Sequence, residues 1–140
     1  MKLLVPHDGS EHAYKTLDEA LKLADKLGEA EIVALVVVTD LCLLGIGIDE
    51  CKAITAIQHR EAEGIKAEIE QILADHKITA KVLIKSGVAE SSILEAADEI
   101  GADLIVIGAV GKHRREVHGS MGGVALKVVS RSQCNVMVIK

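Results

Sequence analysis

Phenylalanine and tryptophan are missing from this chain, and tyrosine occurs once, at Tyr14. Stacking between aromatic rings is therefore not how the protein holds a planar group, unless Tyr14 does so alone. Proline also occurs once, at Pro6, where it closes the first apolar run. Cys42, Cys51 and Cys134 are odd in number and form no C-x-x-C pair. That speaks against a structural zinc site and predicts free thiols in a reducing cytoplasm, with no disulfide framework. No apolar run approaches the roughly 18 residues of a membrane span. The opening MKLLV is too short for a signal peptide. Positive charge is in deficit, with 16 Lys and Arg against 21 Asp and Glu, a net charge of −5. Nucleic acid and anionic membrane are thereby excluded as main partners.

What is present is aliphatic. The chain has 140 residues, 49% of them hydrophobic and 26% charged. That is enough to bury a core, and it predicts a single domain over 1–140. Two periodicities alternate along it. After Lys2–Pro6, the apolar positions 13, 17, 20, 21, 24 and 27 mark one face of a helix, with Ser10 as its N-cap and Gly28 as its stop. Ile32–Val38 is apolar on both faces, as a strand covered on both sides must be. Thr39–Lys52 reads as irregular. Ile54, Ile57, Ile65, Ile69, Ile72, Leu73 and His76 then share a face of a long helix from about 53 to 76. Lys81–Ile84 reads as a short strand, Ser86–Gly87 as a turn, and Val88–Ile100 as a helix. Leu104–Ile107 is a fully apolar strand, 108–121 a loop rich in glycine and cations, about 122–131 a helix, and Asn135–Ile139 the last strand. Five strands alternating with four helices predict an α/β fold, a doubly wound and mainly parallel sheet with helices on both faces.

In such sheets ligands bind beyond the carboxyl ends of the strands, where the strand order reverses. The first strand delivers Pro6-His7-Asp8-Gly9-Ser10, the second Val38-Thr39-Asp40, and the fourth Gly108-Ala109-Val110-Gly111. Gly119-Ser120-Met121-Gly122-Gly123 then leads into the last helix. Glycines let backbone N–H groups approach an anion, and a helix N-terminus favours phosphate. Asp8 suits a ribose hydroxyl or a base amino group, and Pro6 and Val38 offer aliphatic surface to a base. Neither the Walker A loop nor the G-x-G-x-x-G fingerprint is present.

VPHDGSEHA at the start, GADLIVIGAVG, and the closing GGVALKVVSRSQCNVMVIK resemble the universal stress protein family over essentially the whole chain. The resemblance implies strand order 3-2-1-4-5, an adenine nucleotide at the ends of strands 1 and 4, and a homodimer built through the last strand, 136–139. It implies ATP or AMP as ligand, with Mg²⁺ carried on the phosphates, in a cytoplasmic stress-response or signalling protein with little or no catalysis. Carried over by position, Pro6, Asp8 and Val38 match the adenosine pocket. Gly108, Gly111, Gly122, Gly123 and Val124 match the phosphate loop. The family pattern G-x2-G-x9-G-[S/T] is altered here: ten residues separate Gly111 from Gly122, and Gly123 and Ala125 stand where hydroxyl residues are usual. Gly119-Ser120 is an alternative Gly-Ser that could meet the phosphates instead.

Several neighbouring residues have a plainer reading beside the functional one. Lys112, His113, Arg114, Arg115 and His118 form a basic loop after Gly111, suited to phosphate through Arg114 or simply solvated. Asp8 is equally suited to an Asx turn. His7 is expected as a partly exposed loop histidine. The apolar stretch from Cys42 to Ile48 is a lid, a partner surface or packing on the long helix. A nucleotide-free dimeric interaction module of the same fold is the alternative function. A nucleotidyl-transfer enzyme would call for a His-x-x-His or a Ser-Gly-Gly-rich loop after strand 1, and His7-Asp8-Gly9-Ser10 supplies neither.

Overall fold

The computed structural model describes residues 1–39, 42, 45, 47–111 and 121–140. Among these residues nine elements follow one another: β1 (Lys2–His7), α1 (Glu11–Leu27), β2 (Glu31–Thr39), α2 (Ile48–Ala74), β3 (Thr79–Gly87), α3 (Ala89–Ile100), β4 (Leu104–Gly108), α4 (Gly123–Arg131) and β5 (Asn135–Ile139). The strands form one sheet in the order β3-β2-β1-β4-β5, and each of its four pairings is parallel.

The period of two along each strand sorts its side chains between two cores. Leu3, Val5, Ile32, Ala34, Val36 and Val106 pack with Leu17 and Leu21 of α1 and with Ala62, Ile69 and Leu73 of α2. Leu4, Val33, Leu35, Ile105 and Ile107 pack with Ile93 and Ala96 of α3 and with Ala125 and Val128 of α4. The central strands are aliphatic on both faces because both faces are covered. Truncating a fully buried leucine such as Leu4 or Leu35 to alanine would cost about 2–5 kcal/mol.

Local signals set several boundaries. The Ser10 hydroxyl accepts from Ala13 N–H at 3.1 Å and caps α1. Gly101, at φ 66°, ends α3 in the left-handed region that a side chain would disfavour.

Several elements and two of the cysteines depart from the sequence reading. β3 runs to Gly87, so Ser86 and Gly87 are not a turn; they lie in register with Val38 and Thr39 of β2. α2 starts at Ile48, about one and a half turns before the expected residue. Ile54 and Ile57 do not face the core but are 39% and 54% exposed. The inner stripe of α2 runs through Cys51, Ala62, Ile69 and Leu73 instead. Finally, the cysteines are not all free: Cys42 and Cys51 form a disulfide with a Cα–Cα distance of 5.3 Å. Cys134 remains a thiol. A separation of nine positions carries no local signature of pairing.

Gly9, two residues past β1, lies against Ile65: a Cβ there would stand 2.7 Å from Ile65 Cδ1. The turns of α2 that precede Ile65 therefore stand beyond the ends of the strands. They wall the space above β2 and β1.

Candidate functional site

Pro6 lies in the central strand, where a missing N–H interrupts a ladder. The β1–β4 ladder consists of Leu3↔Leu104 and Leu4↔Ile105, whereas β1 and β2 stay paired through His7↔Val36. β4 meanwhile continues its pairing with β5 to Gly108↔Ile139. β1 and β4 thus part beyond Leu4, at the point where the chain order reverses. A cavity of about 730 Å³ opens there, within the usual range for a small-molecule site.

The turn after β1 is stitched by its own side chains. Gly9 N–H donates to His7 Nδ1 at 3.0 Å, and Ser10 N–H donates to Asp8 Oδ1 at 3.0 Å. Asp8 thus makes the Asx turn. Its other oxygen, Oδ2, faces Gly111, where a Cβ would stand 3.0 Å away.

His7 is not an exposed loop residue. Alternation along β1 turns it inward after Leu3 and Val5, and it is 3% exposed. Its ring meets Tyr14 edge-on, with centroids 4.4 Å apart. Burial pushes its pKa down to about 4, against the opposing pull of Asp8 and Glu68. At neutral pH the ring is uncharged. Because Nδ1 accepts from Gly9, the proton sits on Nε2, which is buried and has no partner among the described residues. Tyr14 donates to Glu68, and desolvation together with that carboxylate pushes its pKa up to about 12.

On the β4 side, Gly108 lines the cavity with its backbone. A Cβ at Gly108 would meet His12 Cδ2 at 2.7 Å and Thr16 Oγ1 at 2.9 Å, both on α1. The close pass of α1 is what demands glycine at this position. His12 Nε2 in turn donates to Ile139 O at 2.8 Å, tying α1 to the end of β5.

α4 begins at the cavity. Gly122 is its N-cap, and among the described residues no side chain caps the helix. The first intrahelical bond runs from Leu126 N–H to Gly122 O at 2.9 Å. The N–H groups of Gly123, Val124 and Ala125 therefore have no acceptor within the helix, and the helix dipole adds positive potential. Lys127, one turn further on, lines the cavity and pairs with Glu90 of α3 at 3.3 Å. The Glu90 carboxyl is held below the usual carboxylate range, first by its own backbone N–H and then by Lys127 and Arg131.

Pro6, Asp8, Val38, Gly108, Gly111, Gly122, Gly123 and Val124 all line this one cavity. Arg114, with the rest of the basic loop and Gly119-Ser120, lies outside the described residues. So does most of the apolar stretch before α2. Sequence reasoning missed Gln58 and Glu61, which line the α2 wall, and Lys127. Lys127 was legible as a cation one turn into a helix that opens with Gly-Gly. Gln58, four residues after Ile54, and Glu61, four residues after Ile57, share the expected face of α2 and were passed over as polar gaps in an apolar stripe.

The family model described as universal stress protein family matches residues 1–140. Universal stress protein YxiE of Bacillus subtilis is 32% identical over 148 residues, covering 99% of this chain and 98% of its own. The structure of universal stress protein UspA from Lactobacillus plantarum is similar with a TM-score of 0.85 at 26% identity, over 100% of this chain and 97% of that one. A universal stress protein family protein from Arabidopsis thaliana, with AMP bound, shares the fold at a TM-score of 0.71 and 14% identity, over 100% and 91% of the two chains. The parting of β1 from β4, the crevice it opens and a match along the whole chain agree, and the chain belongs to the universal stress protein family.

Proposed function

We propose that the cavity takes an adenine nucleotide, AMP or ATP, and that its occupancy tunes an interaction surface in a stress response. The base lies between the end of β2 and α2, against Val38, Ala62 and Ile65. The ribose meets Asp8, and the phosphates meet the first turn of α4. The observation that carries this reading is the uncapped Gly122-Gly123 start of α4, which opens into a cavity walled by aliphatic side chains on its far side. Free N–H donors at a helix start are a ready anion site, and the aliphatic wall suits a flat ring. A protein of this fold carries AMP, which fits the same reading. Arg114 is assigned to the distal phosphates of ATP. Magnesium would enter with those phosphates. Among the described residues, no group of three His, Cys, Asp or Glu is placed to hold a metal, so phosphate oxygens would supply its ligands.

The same reading includes a homodimer through 136–139. β5 ends the sheet, and Met137 on it is 38% exposed; on α4, Leu126 and Val129 are 55% and 42% exposed. An apolar edge of this kind favours pairing with its own copy about a two-fold axis.

The nucleotide-free interaction module is the second reading. It is favoured by Gly123 and Ala125, which bring no hydroxyl to the first turn of α4. Thermal unfolding with AMP, with ATP and Mg²⁺, and with inorganic phosphate decides between them. A ligand at 100 times its Kd adds about 2.7 kcal/mol of stability, which is about 8 °C for a chain of this size. A rise of that order with either nucleotide and none with phosphate supports the first reading. No rise at millimolar nucleotide supports the second.

A further inference from the structure

The inner face of α2 changes character along its length. From Ala62 onward it is apolar and lies on the sheet, through Ile65, Ile69 and Leu73. One and two turns earlier the same face carries Gln58 and Thr55. Gln58 Oε1 and Thr55 Oγ1 are both buried, and neither has a hydrogen-bond partner among the described residues. Buried polar atoms are nearly always paired, so an orphaned amide oxygen asks for a missing partner. Gln58 lines the cavity, together with Val36 and Val38 of β2 and Ala62 of its own helix.

Its place in the cavity narrows the choice of partner. β2 flanks β1 on one side and β4 flanks it on the other. Gln58 thus stands across β1 from the Gly122-Gly123 turn, at the end away from the anion-seeking N–H groups. Val36, Val38, Ala62 and Ile65 line the cavity there with Glu61 on the same wall, and that largely aliphatic surface suits a flat heterocycle better than a sugar. An amide offers one acceptor and two donors side by side. That matches an edge that presents an amine next to a ring nitrogen, as 6-aminopurine does.

We propose that Gln58 is the specificity residue for the base: its amide oxygen accepts from the exocyclic amine of adenine, and its amide N–H donates to the adjacent ring nitrogen. This rests on the reading that the cavity takes a nucleotide. Gln58 then does for the base what the start of α4 does for the phosphates. Thr55, one turn further out, has no part in the contact.

The test uses calorimetric titration of the full chain with AMP and with purine riboside 5′-monophosphate, which lacks only the exocyclic amine. The wild type binds AMP at least tenfold more tightly. Gln58→Met keeps the length and the helix propensity of the side chain but not its polarity. It weakens both ligands, because the ring-nitrogen contact is common to them, and it weakens AMP about tenfold more than the amine-free analogue, so the discrimination disappears. Gln58→Glu retains an acceptor and retains the discrimination, whatever its charge does to both affinities together. Equal weakening of both ligands by Gln58→Met, no weakening of AMP, or loss of discrimination in Gln58→Glu overturns the assignment while the nucleotide site stands. A wild type that binds neither ligand overturns the nucleotide site, and this assignment with it.

Discussion

Asp8 and Gly111 face each other across the parting of β1 and β4, with Oδ2 only 3.0 Å from where a Cβ on Gly111 would stand. Asp8 cannot swing away freely, because Oδ1 is held by Ser10 N–H at 3.0 Å. Gly111→Ala therefore presses on the carboxylate assigned to the ribose. Asp8→Ala removes that carboxylate and is expected to weaken AMP and ATP alike by about 1.5–3 kcal/mol, the range for a hydrogen bond to a charged group. Gly111→Ala is expected to weaken both in the same direction and by less. Titration calorimetry of both variants checks this. An Asp8→Ala effect on ATP alone would contradict the placement of the ribose.

Gly108 answers to α1. Gly108→Ala drives a methyl group against His12 and Thr16, at 2.7 Å and 2.9 Å from their nearest atoms. The expected loss is about 1–3 kcal/mol of stability, as for overpacking elsewhere. Urea unfolding measures it. Wild-type stability in Gly108→Ala would show that α1 moves aside at no cost.

His7 should make stability fall with acid. Its folded pKa, about 4, lies below the unfolded value of 6.5. Between those two values the unfolded chain binds a proton that the folded chain does not, so unfolding gains as pH drops. The contribution is complete above pH 6.5, declines through that window and is lost below about pH 4. Its full size is on the order of 3 kcal/mol, and about 2 kcal/mol of it is spent by pH 5. Urea unfolding of wild type and His7→Leu at pH 7 and pH 5 should show the variant losing less stability by about that amount. Equal losses in the two proteins would contradict the neutral, buried histidine.

Gly123 has open space where a Cβ would be, with nothing within 4 Å. Gly123→Ser can therefore restore a hydroxyl at the start of α4 without steric cost. One added neutral hydrogen bond to phosphate contributes about 0.5–1.5 kcal/mol, an affinity gain for AMP of about two- to tenfold. Unchanged affinity, measured by titration calorimetry, would place the phosphates away from the first turn of α4.

The parts of the fold that local chemistry dictates were legible. Ser10 and Gly28 bracket α1 by their capping chemistry, and the unbroken aliphatic runs at Ile32–Val38 and Leu104–Ile107 mark strands covered on both faces. The parts that depend on a distant partner were not. Ser86-Gly87 is turn-like in composition, yet β2 pairs with it to the end of the strand. β3 is an edge strand whose alternation is diluted by Lys81 and Lys85, so its true length is hard to see. α2 starts at Ile48 behind Gly47, an N-cap without a side chain to offer, and its isoleucines at 54 and 57 suggest a phase that the packing of Ala62 and Ile69 overrides. Most of the cavity was visible as glycines and Pro-x-Asp at strand ends. Its α2 wall was not, because nothing local shows that this helix runs past the strand ends, where Gln58 and Glu61 on its inner side meet a cavity instead of the sheet.

The central claim is that the start of α4 and the parted ends of β1 and β4 seat an adenine nucleotide. Titration calorimetry of the wild-type chain, freed of co-purified ligand, with AMP and with ATP and Mg²⁺ tests it most directly. Saturable heat at one nucleotide per chain, abolished or shifted by Asp8→Ala, is the expected result. No heat from either nucleotide at millimolar concentration, with the chain folded throughout, would contradict it.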